Sequence, residues 1–356
     1  MTRRFPSGMN LELREIPKAE CDRLRHFLRG IFQPNADDAT FLDPAQMLWK
    51  YWEPNPGWTG DSRSYAFIDD SGEIIAHACA WPFGLRTKEA ELCGVHLIDW
   101  AAGMKVPGAG ALLLREMRAL RDISCCIGGT HIAQNVVRQS GFKQLTTMHF
   151  LARPLRPLRQ ALTHQRQNWK TPARFLRNTV WVMRSASVLS GWTAEPISPG
   201  EITGNLLPAP GPGQAVAHRS AALFEYMAQC PTARYQLWLV RQGAEARGYF
   251  LLSIIFGQAR VADAWITEAT SESWSALYAL AAQVALRHHS VAEITTSVTL
   301  PDALAGAAVC GFRPYGELAV MVFDPKKHLA FVSQFHLQML DNDASFLHRN
   351  CIEYVT

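Results

Sequence analysis

A chain of 356 residues, 48% of them hydrophobic, has room for one or two domains with sizeable cores. The net charge of +4 is mild, no stretch reaches the length of a membrane span, and the start is not followed by a signal-like apolar run. The eight cysteines contain no Cys-x-x-Cys, so no metal site is expected, and buried free thiols in a cytoplasmic protein are the plain reading.

In chain order, Leu11–Ile16 reads as a strand and Ala19–Phe32 as a helix, with Leu24, Phe27, Leu28 and Ile31 at helical spacing. An aromatic, Pro-rich stretch follows, from Phe41 through Trp49-Lys50-Tyr51-Trp52 to Trp58, and reads as a packed lid or as a surface on which a sugar could stack. Ser64–Asp69 and Ile74–Trp81 form a hairpin around Asp70-Ser71-Gly72.

The stretch with chemical content is next. A strand, Val95–Ala102, runs into the turn Gly103–Gly110 and then a helix, Ala111–Leu120. Glycines let a backbone come close to a ligand, and a helix start adds partial positive charge, so this order suits a phosphate or pyrophosphate. The P-loop form fails, because Ala111-Leu112 stand where Lys and Ser or Thr are needed. The dinucleotide fingerprint fails at Leu113. What remains is basic-x-x-Gly-x-Gly: Lys105, Gly108, Gly110. A strand (Ile123–Ile127), a helix (Ala133–Gln139), Gly141-Phe142 and a strand (Leu145–Ala152) complete this half.

No Asp or Glu occurs between Asp122 and Glu195, a window with ten Lys or Arg. If Pro172–Trp192 is a helix, Phe175, Leu176, Val180, Trp181, Val188 and Leu189 collect towards one side with Arg174, Arg177 and Arg184 at the borders. Such a segment either connects two domains or lies weakly on an anionic membrane; nucleic acid is the less favoured partner. Glu195–Gln214 reads as a loop or joint.

The second half repeats the order of the first. A helix (Ala217–Ala228), strands (Gln236–Val240, Gly248–Phe256, Ala259–Ile266), a helix (Ser273–His288), a strand (Ala292–Val298), a helix (Pro301–Val309), Gly311-Phe312 and a strand (Leu318–Phe323) follow one another. Its turn, Thr267–Glu272, has no glycine and two carboxylates, which disfavour a pyrophosphate. In the tail, Asp341-Asn342-Asp343 reads as a solvated turn ahead of a cation or sugar site.

Lys105-x-x-Gly108-x-Gly110, with the strand–helix–Gly-Phe–strand sequel, resembles the acyl-CoA loop of the GNAT acyltransferases. The duplicated order resembles tandem members such as the Fem peptidyltransferases and mycothiol synthase-like enzymes. The resemblance implies an α/β (α+β) fold of two tandem GNAT-like domains, each a mixed, mostly antiparallel sheet flanked by helices. The domains would be 1–152 and 215–326, with a basic linker and joint at 153–214 and a tail at 327–356. It implies acetyl-CoA or another acyl-CoA as co-substrate, held by Ile98, Trp100, Lys105, Val106, Pro107, Gly108, Ala109, Gly110, Ala111 and Asn135. It places the base at Asp99 ahead of His96, residues an odd number apart and so on opposite faces of the strand. The tyrosine that GNAT enzymes often carry before Gly-Phe is absent from Asn135–Ser140, which puts the acid step in doubt. The expected activity is N-acylation of an amine, on an amino sugar or glycan precursor. Alternatives are a CoA-binding scaffold or a Fem-like transferase using aminoacyl-tRNA. The localisation expected is cytoplasmic, with weak attachment to anionic lipid through the linker.

Overall fold

A computed structural model describes residues 2–4, 10–32, 40–163, 169–183, 189–347 and 354–356. They form two compact units, Met1–Leu145 with Ala319–Phe331, and Thr146–Leu318 with Val332–Thr356.

Unit 1 opens with β1 (Thr2–Arg4), β2 (Asn10–Glu15), α1 (Cys21–Phe32) and α2 (Pro44–Tyr51). Then come β3 (Ser64–Asp69), β4 (Ile74–Arg86), β5 (Glu91–Ala102), α3 (Ala109–Met117), β6 (Ile123–Ile127) and α4 (His131–Gln139). Strands β1 to β5 pair antiparallel in sequence order, and β6 joins β5 in parallel after the α3 crossover. Helix α3 buries Leu113, Leu114 and Met117 against Phe67, Ala78 and Leu97 of the sheet. Each such side chain removed from water contributes about 1.5–3 kcal/mol.

Strand β7 (Lys143–Pro154) passes from unit 1 to unit 2 after Leu145. Unit 2 continues with α5 (Pro157–Thr163), α6 (Thr171–Met183), β8 (Trp192–Ile197), β9 (Gln214–Ala217) and α7 (Ala221–Ala228). It is completed by β10 (Arg234–Gln242), β11 (Glu245–Ile255), β12 (Gln258–Ile266), α8 (Ser271–Leu286), β13 (Glu293–Val298), α9 (Pro301–Val309), the first part of β14 (Arg313–Phe323), and β15 (Gln334–His336). Strands β10, β11 and β12 are antiparallel, and β12 pairs with β13 in parallel after α8. That is the β3–β4–β5–α3–β6 order of unit 1 again, so β5 and β12 are equivalent. Helix α8 is buried along most of its length, with Trp274, Leu277, Tyr278 and Val284 in the unit 2 core.

The units do not follow the expected boundaries. Residues 149–154 of β7, expected to close unit 1, pair with β13 inside unit 2. Residues 320–323 of β14, expected to close unit 2, pair with β6 inside unit 1. The halves exchange their last strands, which a reading by sequence order cannot see because pairing partners are non-local. Nor is 153–214 a free linker: β8 pairs with β10 in unit 2. Trp192 begins that strand, so the expected helix does not reach it. Trp181 is buried and its indole N–H donates to the Gly311 carbonyl at 2.5 Å, so that part of the apolar stripe packs inside unit 2. Val188, Arg166 and Arg184 lie outside the described residues.

Among the described cysteines most are buried, but Cys93 is exposed. No described helix is long and apolar enough to cross a membrane.

Candidate active site

The site begins with an irregularity in one strand. His77 pairs with Ala101 and Cys79 with Ile98, so two residues of β5, Asp99 and Trp100, stand opposite Ala78 alone. Such a bulge bends a strand and interrupts its ladder. Asp99 takes φ +50°, a conformation Asp tolerates better than most residues with a Cβ.

A buried network holds this geometry. Lys50 Nζ lies 2.6 Å from Asp99 Oδ2, with side-chain exposures of 2% and 10%. The Tyr51 hydroxyl donates to the same oxygen at 2.7 Å. His77 Nδ1 lies 3.1 Å from the Asp99 carbonyl, and His77 Nε2 lies 2.9 Å from Ser64 Oγ. A carbonyl can only accept, so neutral His77 carries its proton on Nδ1 and Ser64 donates to Nε2. Burial pushes His77 down to about 4, an effect the neighbouring Asp99 partly offsets, so the ring is neutral near pH 7. Burial alone would raise the Asp99 carboxyl; the Lys50 ammonium and the Tyr51 hydroxyl outweigh it and hold the group below the usual carboxylate range. Burial and Asp99 together push the Tyr51 hydroxyl well above its usual value.

Helix α2 delivers Lys50 and Tyr51. Asp43 caps it by accepting from the Ala45 and Gln46 amides, and Pro44 occupies its first position. At the other end the buried Arg63 guanidinium donates to the Lys50 and Trp49 carbonyls at 2.8 and 2.9 Å. Trp49, Tyr51 and Trp52 are buried, so this part of the aromatic stretch is core and not a substrate-facing lid. Sequence reasoning missed Lys50 and Tyr51 as partners of Asp99; a lysine and a tyrosine inside an aromatic helix were the available signal.

Beside the bulge the sheet forks. Parallel pairing of β5 with β6 covers Gly94–His96 against Ile123–Cys125, while β5 runs on to Ala102. His96 bridges the branch point: its Nε2 accepts the Ile127 amide at 3.2 Å. That lone pair is therefore in use, and the proton of a neutral His96 sits on Nδ1. His96 is buried and Asp99 is held by α2, so the two expected bases are both committed to the fold.

The glycine turn closes the far end of β5. Gly108 has φ +86° and caps α3, and a Cβ there would meet nothing within 4 Å. Its requirement is conformational. Gly110 is different: a Cβ would come 2.9 Å from Ala102 Cβ, and its carbonyl accepts from the Trp100 indole at 2.9 Å. That glycine seats α3 against β5. The Ala109 amide donates to the Val106 carbonyl, and Val106 and Ala109 are buried, whereas Pro107 is exposed and Ala111 half-buried. Lys105 does not point to the turn. Its Nζ lies 2.9 Å from Asp69 Oδ2 and 2.5 Å from Glu73 Oε2, tying the turn to the β3–β4 hairpin. What the turn itself offers an anion is the positive end of the α3 dipole. Ile98 is buried, Trp100 half-buried, and Asn135 lies on exposed α4, 3.2 Å from Arg138 Nη1.

Unit 2 repeats the bulge and the network but not the fork. Leu251 pairs with Asp263 and Leu252 with Val261, leaving Ala262 as an extra residue in β12. The Tyr249 hydroxyl donates to Asp263 Oδ2 at 2.6 Å, and Arg219 pairs with Asp263 and Asp341 at 2.8 Å each. Asp341 of the Asp-x-Asp stretch is thus an internal partner of Arg219. The gap between β12 and β13 is filled by the chain itself. Gln338 Nε2 donates to the Ala264 carbonyl at 2.7 Å, Gln338 bridges to Val298, and the Leu337 amide donates to Thr299 Oγ1. Gln338 and Leu337 are buried.

The arrangement of elements around this site has counterparts among solved structures. The chain is similar to the tandem GNAT protein from the clavulanic acid biosynthesis pathway, at 12% identity and TM-score 0.54, over 88% of this chain and 98% of that one. The fold is that of a tandem GNAT protein. A GCN5-related N-acetyltransferase from Anabaena variabilis shares it at 10% identity and TM-score 0.57, over 88% of this chain and 72% of the other. So does Saccharomyces cerevisiae N-myristoyltransferase, solved with bound myristoyl-CoA, at 11% identity and TM-score 0.57, over 88% of this chain and 78% of that enzyme. No protein-family model and no curated protein sequence matches the chain. At these identities the likeness lies in the fold.

Proposed function

We propose that unit 1 is an acyl-CoA-dependent N-acyltransferase acting on an amine. The observation that carries this is the fork of β5 and β6 beside the Asp99 bulge, with the glycine turn at the end of β5. An extended thioester arm fits such an edge by pairing with β5 beyond His96. Its pyrophosphate fits the start of α3, held by the amides of Gly110 and Ala111. Acetyl-CoA is the co-substrate proposed.

The acyl-CoA supplies an activated carbonyl. In this reading backbone amides at the bulge polarise its oxygen. The amine nitrogen attacks the carbonyl carbon, the C–N bond forms, the C–S bond breaks, and the amine proton is lost as the thiolate takes one up. Asp99 and His96 are committed to internal bonds, so the chain's contribution is alignment and polarisation, and the amine enters as its neutral form. Burial of Trp49 and Trp52 removes the support for a sugar-stacking lid, so the acceptor is proposed as an amine without the glycan qualifier.

The same commitment of Asp99 and His96 favours a second reading, a binding protein without turnover. Calorimetry with acetyl-CoA, followed by thiol release with an amine panel, separates the two. Binding with release supports transfer, binding without release supports the second reading, and no binding contradicts both.

A further inference from the structure

Helices α5 and α6 of unit 2 present an unusual surface. Leu158, Leu162, Trp169, Leu176 and Met183 are 62%, 69%, 85%, 66% and 72% exposed. Leu158 and Leu162 are one turn apart on α5, and Leu176 and Met183 are two turns apart on α6, so each pair shares a face. The opposite side is anchored. Asn178 Nδ2 donates to Gln160 Oε1 at 2.9 Å, and Trp181 and Gln160 are buried. The apolar face is therefore displayed by a fixed scaffold.

The charge on this segment has one sign. Arg159, Lys170, Arg174 and Arg177 belong to it, Lys170 Nζ stands 5.3 Å from the centre of the Trp169 ring, and no carboxylate occurs from 123 to 194. Large apolar side chains beside cations, with an indole and an ammonium stacked together, are the chemistry of an interface between water and lipid headgroups.

We infer that α5 and α6 dock unit 2 on an anionic bilayer surface. The exposed leucines, Met183 and Trp169 enter the headgroup boundary, while Lys170, Arg174 and Arg177 meet the lipid phosphates; Arg159 is tied to the Ser290 carbonyl at 3.0 Å. The occupant is lipid because the apolar groups stand along two short helices and the charge is complementary to an anionic sheet. This docking is independent of the acyl transfer proposed for unit 1.

The test is co-sedimentation of the full chain with vesicles of phosphatidylcholine alone or with a quarter phosphatidylglycerol, at low and high salt. The inference expects pelleting with the anionic vesicles at low salt, falling at least about fivefold at high salt. The double variant Leu162→Glu/Leu176→Glu should lower the partition coefficient at least about tenfold. Both positions are exposed, and thermal unfolding identical to wild type shows the variant folded. Lys170→Glu, another exposed change, should weaken anionic binding without altering unfolding. Equal pelleting on both vesicle types, no pelleting, or unchanged pelleting of a folded double variant overturns the inference. So does a concentration-dependent dimer that the double variant abolishes, since the face then belongs to a second copy.

Discussion

Tyr51 and Tyr249 make the same bond in the two units: each hydroxyl donates to Oδ2 of an aspartate on the bulged strand, Asp99 at 2.7 Å and Asp263 at 2.6 Å. Each aspartate also holds a buried cation, Lys50 or Arg219. The two units thus carry a similar polar device at the bulge, built from different elements: Tyr51 comes from α2 and Tyr249 from β11. In unit 1 β5 runs on past its pairing with β6, whereas in unit 2 Leu337 and Gln338 fill the corresponding gap.

The device makes a stability prediction. Breaking a buried ion pair leaves a charge without compensation, at a cost of about 3–5 kcal/mol. Lys50→Met should destabilise by that amount in denaturant unfolding. Lys50→Met/Asp99→Asn, which removes both charges, should recover most of the loss. Equal stability of Lys50→Met and wild type would contradict the assignment.

Asp99 also predicts a pH dependence. Its pKa is lower folded than unfolded, so between the two values the unfolded chain holds a proton that the folded chain lacks. The contribution is present above the ordinary carboxylate pKa of about 4 and is lost as pH falls through the depressed folded value. Melting temperatures of wild type and Asp99→Asn should therefore converge as pH drops below about 4. A gap that widens on acidification would reverse the sign.

How much of this was legible differs by element. The hairpin, β5, the glycine turn and the order of the second half follow from alternation, turn residues and 3.6-residue spacing, because those are local. The strand exchange between β7 and β14 was not, since nothing in either sequence selects between two similar neighbours. Lys105 looked free because its partners, Asp69 and Glu73, lie more than thirty residues away. Asp99 was found through its strand, but its φ of +50° and the Lys50 bond were not, because both depend on a bulge that alternation does not report.

The two glycines should separate. Gly110→Val forces α3 away from Ala102 and should lower stability together with acetyl-CoA binding. Gly108→Ala meets no atom, and its positive φ should cost about 1 kcal/mol. Lys105→Ala should leave acetyl-CoA affinity within about threefold, because its charge is already paired. Calorimetry on the three folded variants checks the set; a large affinity loss in Lys105→Ala alone would return that lysine to the ligand.

If transfer occurs without a protein base, the rate at saturating acetyl-CoA should climb with pH towards the pKa of the amine used. Changing the amine should move the profile. A profile fixed near neutrality across amines of different pKa would require a titrating side chain, and His96→Gln would then be the variant to test.

The central claim is that acyl-CoA lies in the unit 1 fork and at the start of α3. Amide hydrogen exchange with and without acetyl-CoA tests it most directly. The account predicts slower exchange in 97–102 and 108–112, with 259–266 of unit 2 unchanged. Protection confined to 259–266, or none in either strand at saturating acetyl-CoA, would contradict it.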